Sequence, residues 1–196
     1  MKIKIFLLLI LISVSSVALA QVRERGDIEL APNIGYATAF LNGDNVEGQS
    51  YQNGLQFGAV LDFFFNDRWS LRTGASYMQM GTRQFGNNLE LNYIFVPINA
   101  NWHFGSTRKW NLNFGVSPSV LASAKVDGND LNDFIQSFQL AFTYGIGYKI
   151  EVSDNFSILI DTQGILGLTN VVDESEEGFV NTNAGSSINV GAVFKL

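Results

Sequence analysis

His103 is the only histidine in the chain, and there is no cysteine. Serine-type nucleophilic catalysis needs a histidine base beside a serine and an acid, and thiolate or paired-histidine metal sites need residues that are absent here. His103 lies in "NANWHFG" (99–105), beside a short turn and on the polar side of an alternating stretch. It reads as an interior polar residue, so no catalytic residue and no cofactor follow from the sequence. The other candidates are charges. Asp62 and Arg72 stand symmetrically about "NDR" (66–68), on one face of their segments, where they can pair across neighbouring strands. Lys149, Glu151 and Asp161 make a similar set around "SDN" (153–155). Such charges either form a constriction that gates solutes or a salt-bridge network that fills a narrow interior. Acids also gather as Asp127, Asp130 and Asp133, and again as Asp173, Glu174, Glu176 and Glu177. Oxygen-rich loops can bind Ca²⁺. "DGNDLND" lacks the EF-hand spacing and its closing glutamate, so these candidate cation-binding loops have a simpler role as solvated surface.

Holding charges on one face requires elements of period two, and the chain is full of them. In "SFQLAFTYGIGYKIEV" (137–152), Phe138, Leu140, Phe142, Tyr144, Ile146, Tyr148, Ile150 and Val152 alternate with a face of Ser, Gln, Ala, Thr, Gly, Lys and Glu. "LQFGAVLDFFF" (55–65), "WSLRTGASYMQM" (69–80), "WNLNFGVSPSVLASA" (110–124), "FSILIDTQGILGL" (156–168) and "SINVGAVFKL" (187–196) do the same, and "DIELAPNIGYATAF" (27–40) does so more weakly. "LNYIFVPINANWHFG" (91–105) alternates from Ile94 to Phe104 although Pro97 has no N–H for a ladder. That places Pro97 at a bulge or a gap in the pairing. Eight segments of ten or more residues exceed the usual strand of about five or six, and match the roughly 9–11 needed to cross a bilayer at a tilt.

The whole chain agrees with that reading. "MKIKIFLLLILISVSSVALA" (1–20) has two lysines, an apolar run and an A-x-A exit. That is the layout of a signal peptide, and it leaves residues 21–196 as one β-barrel domain. The net charge of −6 disfavours a nucleic-acid partner. Charged residues make up only 15% of the chain, too few to coat a soluble surface. Eight apolar faces turned to water would far exceed the few hundred Å² a soluble monomer tolerates; lipid accepts them, and closure removes free sheet edges. Short turns at 66–68, 105–109 and 153–155 alternate with longer polar connections at 41–53, 81–88, 125–136 and 169–187, the loop pattern of an outer-membrane barrel. Trp69, Trp102, Trp110, Tyr148 and Phe156 fall near the short turns, where an aromatic girdle belongs. Tyr36, Tyr77 and Phe138 lie nearer the long loops.

"LNYIFVPINANWHF", "GIGYKI", "FSILIDTQGILGLTNV" and the final "GAVFKL" together resemble the PorT-like outer-membrane β-barrel domain family, with its Tyr-x-x-x-Pro strand and late Gly-Leu-Thr-Asn element. The chain ends in Leu196 rather than the aromatic residue such families often carry. The expected fold is all-β, an eight-stranded antiparallel up-and-down transmembrane β-barrel in the bacterial outer membrane, with both termini periplasmic. The expected role is a non-enzymatic structural or surface-interaction protein with acidic extracellular loops. The alternatives are a narrow pore for small solutes or ions, or, from the resemblance alone, an accessory component of a secretion apparatus. The expected partners are outer-membrane lipid, the barrel-assembly machinery during insertion, and an extracellular or periplasmic protein.

Overall fold

Every alternating segment runs as a strand, and each pairs antiparallel with the next until the last meets the first. The computed structural model describes residues 23–43, 48–84, 86–172 and 180–196; the expected signal peptide lies outside them. The strands are β1 (Ile28–Gly43), β2 (Gln49–Phe64), β3 (Trp69–Gln84), β4 (Asn87–Phe95), β5 (Ile98–Phe104), β6 (Trp110–Val126), the stub β7 (Asn129–Asp130), β8 (Phe138–Ser153), β9 (Phe156–Gly167) and β10 (Asn181–Lys195). β4 and β5 are two halves of one wall strand, because both pair with β3 on one side and β6 on the other. The β1–β10 ladder closes the ring, giving an eight-stranded up-and-down barrel.

Pro97 sits at the break between β4 and β5. The register is the same on both sides of the gap: Ser76 pairs with Phe95 and Arg72 with Asn99, while Ser119 pairs with Phe95 and Val116 with Ile98. The proline therefore interrupts the ladder without a bulge, as its missing N–H requires. Val96 N–H still donates to the Pro118 carbonyl at 2.9 Å. Gly74 faces Pro97 in that register and has φ 147°. A side chain strongly disfavours that conformation.

The outer face is the apolar one. Ile98, Ile146, Ile160, Ile188 and Val190 are exposed, whereas Asn99, Asn101, His103, Asn111, Asn113, Lys149 and Asn189 are buried. Aromatic rings circle the short-turn rim: Trp69 stacks on Trp102 at 6.2 Å, Trp102 on Phe104 at 5.0 Å, and Trp110 meets Phe104 at 6.2 Å and Tyr148 at 4.8 Å. These contacts follow from the ladder, which puts Trp69 opposite Trp102 and Trp110 opposite both Phe104 and Tyr148.

Two features differ from the sequence reading. Much of the polar stretches 81–88 and 169–187 is strand: β3 and β4 continue pairing to Gln84↔Asn87, and β10 starts at Asn181. Polar composition marks where a wall leaves lipid, not where backbone pairing stops, since water or partner side chains satisfy the outward groups there. The interior is also not polar throughout. Towards the opposite rim, Ala37, Ala39, Leu41, Met78, Met80, Leu91, Tyr93, Phe95, Ala141 and Ile165 pack into a buried apolar cluster. Ile135 and Val171 drop into it from two connecting segments, which are tied by Gln136 N–H to the Val171 carbonyl (2.8 Å) and Val171 N–H to the Asn181 carbonyl (2.7 Å).

Candidate functional site in the barrel lumen

From the short-turn end inwards, the lumen holds two linked ionic groups. Glu29, on the inward face of β1, pairs with Arg23 at 2.6 Å and with Lys149 of β8 on another wall of the barrel. The Phe64 ring lies beneath both cations, 5.6 Å from the Arg23 guanidinium and 5.5 Å from Lys149 Nζ, where the negative face of the ring attracts them. The same ring meets the His103 ring in a tilted contact, centroids 4.7 Å apart. One step further in, Arg72 grips Asp62 with two bonds, Nε to Oδ1 at 3.0 Å and Nη2 to Oδ2 at 2.8 Å. The two residues stand directly opposite each other in the β2–β3 ladder. Asn101 also donates to Asp62, at 3.0 Å. Arg72 reaches Asp161 more loosely, at 3.7 Å, and Asp161 accepts from Asn189 (2.9 Å) and Gln163 (3.0 Å). A buried charge left alone is costly, and each of these has a partner of opposite sign.

Lys149, Glu151 and Asp161 are inward or rim residues, but they do not form one set. The ladder puts Lys149 opposite Leu159 and Asp161 opposite Gly147. Lys149 therefore meets Glu29, Glu151 pairs with Lys109 at 3.0 Å near the rim, and Asp161 turns to Arg72. Glu29 alternates between Ile28 and Leu30, so its inward placement was visible in the chain; Arg23 precedes the strand and carries no such signal. Asp27, just before β1 and outside the wall strands, accepts from Lys195 at the end of β10 at 2.6 Å. That bond, aided by the Glu24 amide, holds the Asp27 carboxyl below the usual carboxylate range.

His103 Nε2 lies 2.9 Å from Ser70 Oγ, and Ser70 Oγ lies 3.4 Å from Asp62 Oδ1. These are the residue types of a hydrolase triad in the wrong order. The serine stands between base and acid, while His103 Nδ1 has no hydrogen-bond partner among the described residues. A relay needs the imidazole in the middle. Ser70 and His103 are also buried in the filled barrel.

The loop acids take up local tasks where they are described. Asp127, at φ 48°, accepts the Asn88 amide at 2.9 Å, and Asp130 accepts the Asn132 amide at 2.8 Å. Asp133 is exposed in the 3-10 turn Asn132–Phe134. Among the described residues, no three acidic, histidine or cysteine side chains converge as a metal site. Asp173, Glu174, Glu176 and Glu177 lie outside the described residues.

Residues 19–173 match the family model described as outer membrane protein beta-barrel domain. The chain belongs to that family. It is an outer-membrane β-barrel, and the apolar outer face meets lipid. Solved structures agree on the fold. The N-terminal β-barrel domain of Pseudomonas aeruginosa OprF matches with TM-score 0.53 and 14% identity, over 89% of this chain and 100% of that one. OprG of the same organism matches with TM-score 0.54 and 10% identity, over 90% and 98%. Neisserial surface protein A (NspA) matches with TM-score 0.52 and 15% identity, over 86% and 97%. At these identities the likeness is one of fold. Among curated proteins none matches the chain. Within the barrel, the Tyr-x-x-x-Pro element places Tyr93 in the apolar plug and Pro97 on a lumenal cavity. The Gly-Leu-Thr-Asn element fastens strand ends: Thr169 Oγ1 accepts the Leu140 amide at 3.0 Å and Asn170 Oδ1 the Asn181 amide at 2.9 Å.

Proposed function

We propose that this barrel is a non-enzymatic, non-conducting membrane anchor whose working surface is the long-connection rim, facing the cell exterior, with both termini periplasmic. The observation that carries this reading is the double closure of the lumen. Bidentate and shared ion pairs fill one half, and an apolar cluster including Met80, Leu91 and Tyr93, each fully buried, fills the other. An eight-stranded barrel is just wide enough for side chains to fill it, and here they do. The interior charges act as a structural network rather than a selectivity filter. The long-connection rim carries Glu90, Asp127, Asp130 and Asp133 against Arg83 and Lys125, and the sequence of 173–177 adds four more acids. That excess fits a cationic or basic partner. Residues 1–20 serve as the cleaved export signal, and the barrel-assembly machinery acts during insertion.

The resemblance to PorT-like barrels supports a second reading, an accessory role in protein secretion. One experiment separates them. Photo-crosslinking residues are placed at Phe134 on the long-connection rim and at Ser106 on the short-turn rim, in cells, with the partners identified by mass. A discrete partner at Phe134 and none at Ser106 supports the surface role. A periplasmic secretion subunit captured at Ser106 overturns it in favour of the second reading.

A further inference from the structure

Phe64 is the last residue of β2, His103 the last but one of β5 and Glu29 the second of β1. Inward side chains at such strand ends meet water in an open barrel mouth, yet these three and Lys149 are at most 3% exposed. The segment before β1 lies across them. Arg23 is itself 2% exposed; its Nε donates to Glu29 at 2.6 Å and its guanidinium rests 5.6 Å from the centre of the Phe64 ring. A tight turn brings the chain back to that place. Asp27 N–H donates to the Glu24 carbonyl at 3.2 Å, and Glu24 N–H to Asp27 Oδ2 at 3.0 Å. Gly26, at φ 98°, takes the left-handed third position that such a turn requires.

The charges show what this segment supplies. To the lumenal network the wall strands contribute three acids, Glu29, Asp62 and Asp161, but two cations, Arg72 and Lys149. Arg23, from outside the strands, is the third cation. A buried charge without its partner is costly, so the network is balanced only with this segment in place. Its attachment is nonetheless slight. Asp27 is the fixed end, held by Phe64 N–H at 2.9 Å and by Lys195 at 2.6 Å. Beyond it, residues 23–26 hold the wall through the Arg23–Glu29 pair and through Gly26 N–H to the Phe64 carbonyl at 2.9 Å. The ladders of β1 with β2 and β10 begin at Ile28 and Glu29 without them. A Cβ at Gly26 would meet nothing within 4 Å, so the glycine serves the turn and not the packing.

We propose that residues 23–26 are a strap that closes the short-turn mouth of the finished barrel and lifts as a unit on Asp27 while the wall stays paired. Lifting takes one cation out of the network and opens Glu29, Lys149 and the Phe64 ring to water. The apolar plug at the other end stays shut, so the strap governs one mouth, and its failure would leave the closed-lumen reading untouched. Segments with few contacts open locally at lower free energy than the fold as a whole. The test is amide hydrogen exchange by NMR on the refolded chain in lipid nanodiscs. The Gly26 and Asp27 amides should exchange faster than the wall amides of β1 and β2. Arg23→Gln and Gly26→Ala should each speed those two amides by about tenfold or more and leave the wall amides unchanged. Should Arg23→Gln fail to fold, Gly26→Ala, which keeps the third cation and meets no wall atom, decides alone. Strap amides that exchange only together with the wall overturn the proposal. So do variants that speed the wall equally, or the loss of the folded, heat-shifted band in both.

Discussion

Removing Asp62 alone should damage this barrel more than removing it together with its partner. In Asp62→Ala, Arg72 loses both short bonds, at 3.0 and 2.8 Å, and keeps only Asp161 at 3.7 Å. Asn101 loses its acceptor as well, and the guanidinium stays buried, with only 3% of its side chain exposed. Breaking a buried pair from one side costs about 3–5 kcal/mol, most of it the penalty of the charge left behind. Arg72→Met strands Asp62 in the same way, though Asn101 still donates to it. The double variant Asp62→Leu/Arg72→Met leaves no such charge in the pair. It should therefore cost less than the two single changes added together, with a coupling of roughly 2 kcal/mol or more. With a urea slope of about 2 kcal/mol per molar, a loss of about 4 kcal/mol moves the midpoint by about 2 M. The assay is reversible urea unfolding in lipid vesicles, followed by tryptophan emission and the heat-shifted gel band. Single variants costing less than about 1 kcal/mol each, or costs that simply add, would refute the claim that this pair is a buried, mutually dependent unit.

Gly74→Ala should destabilise by roughly 1–3 kcal/mol, as residues forced into sparsely populated backbone regions do. Its φ of 147° is strained for alanine, and its Cβ would meet the Ala59 carbonyl oxygen at 2.2 Å; an unchanged urea midpoint would argue against the strained glycine opposite Pro97. The Asp27–Lys195 bond lowers the folded-state pKa of Asp27. Its stabilisation is therefore present above the ordinary carboxylate pKa and fades as the pH falls through the lowered one. Asp27→Asn should flatten the acid limb of the stability profile below about pH 4 and leave the shape of the profile near neutral pH almost unaffected. The three tryptophans, Trp69, Trp102 and Trp110, sit on one rim. Brominated lipids should quench them most strongly when the bromines lie near the headgroups; strongest quenching from the bilayer centre would break the girdle assignment.

The wall was legible because period-two alternation is a local property of the chain. Phe138 to Val152 assigns faces on its own, and the placement of Asp62 and Arg72 about residues 66–68 fixes them opposite each other once a hairpin forms. Alternation cannot say what fills the inside. Met78, Met80, Leu91 and Tyr93 are apolar residues facing inward, and where both faces are apolar the pattern loses its sign. The bond from Lys149 to Glu29 spans 120 positions and depends on curvature and closure, which no local pattern encodes. The polar hairpin ends misled in another way, since composition reports the solvent around a strand rather than its pairing.

Single-channel recording tests the closed lumen most directly. The refolded chain, verified by its heat-shifted band, is reconstituted into planar bilayers in concentrated KCl and held at both polarities. The ionic network and the apolar plug together predict a folded barrel with no discrete conductance steps. Reproducible steps from the wild-type barrel, altered in size or ion preference by Asp62→Leu/Arg72→Met, would contradict the account and make the interior charges a filter.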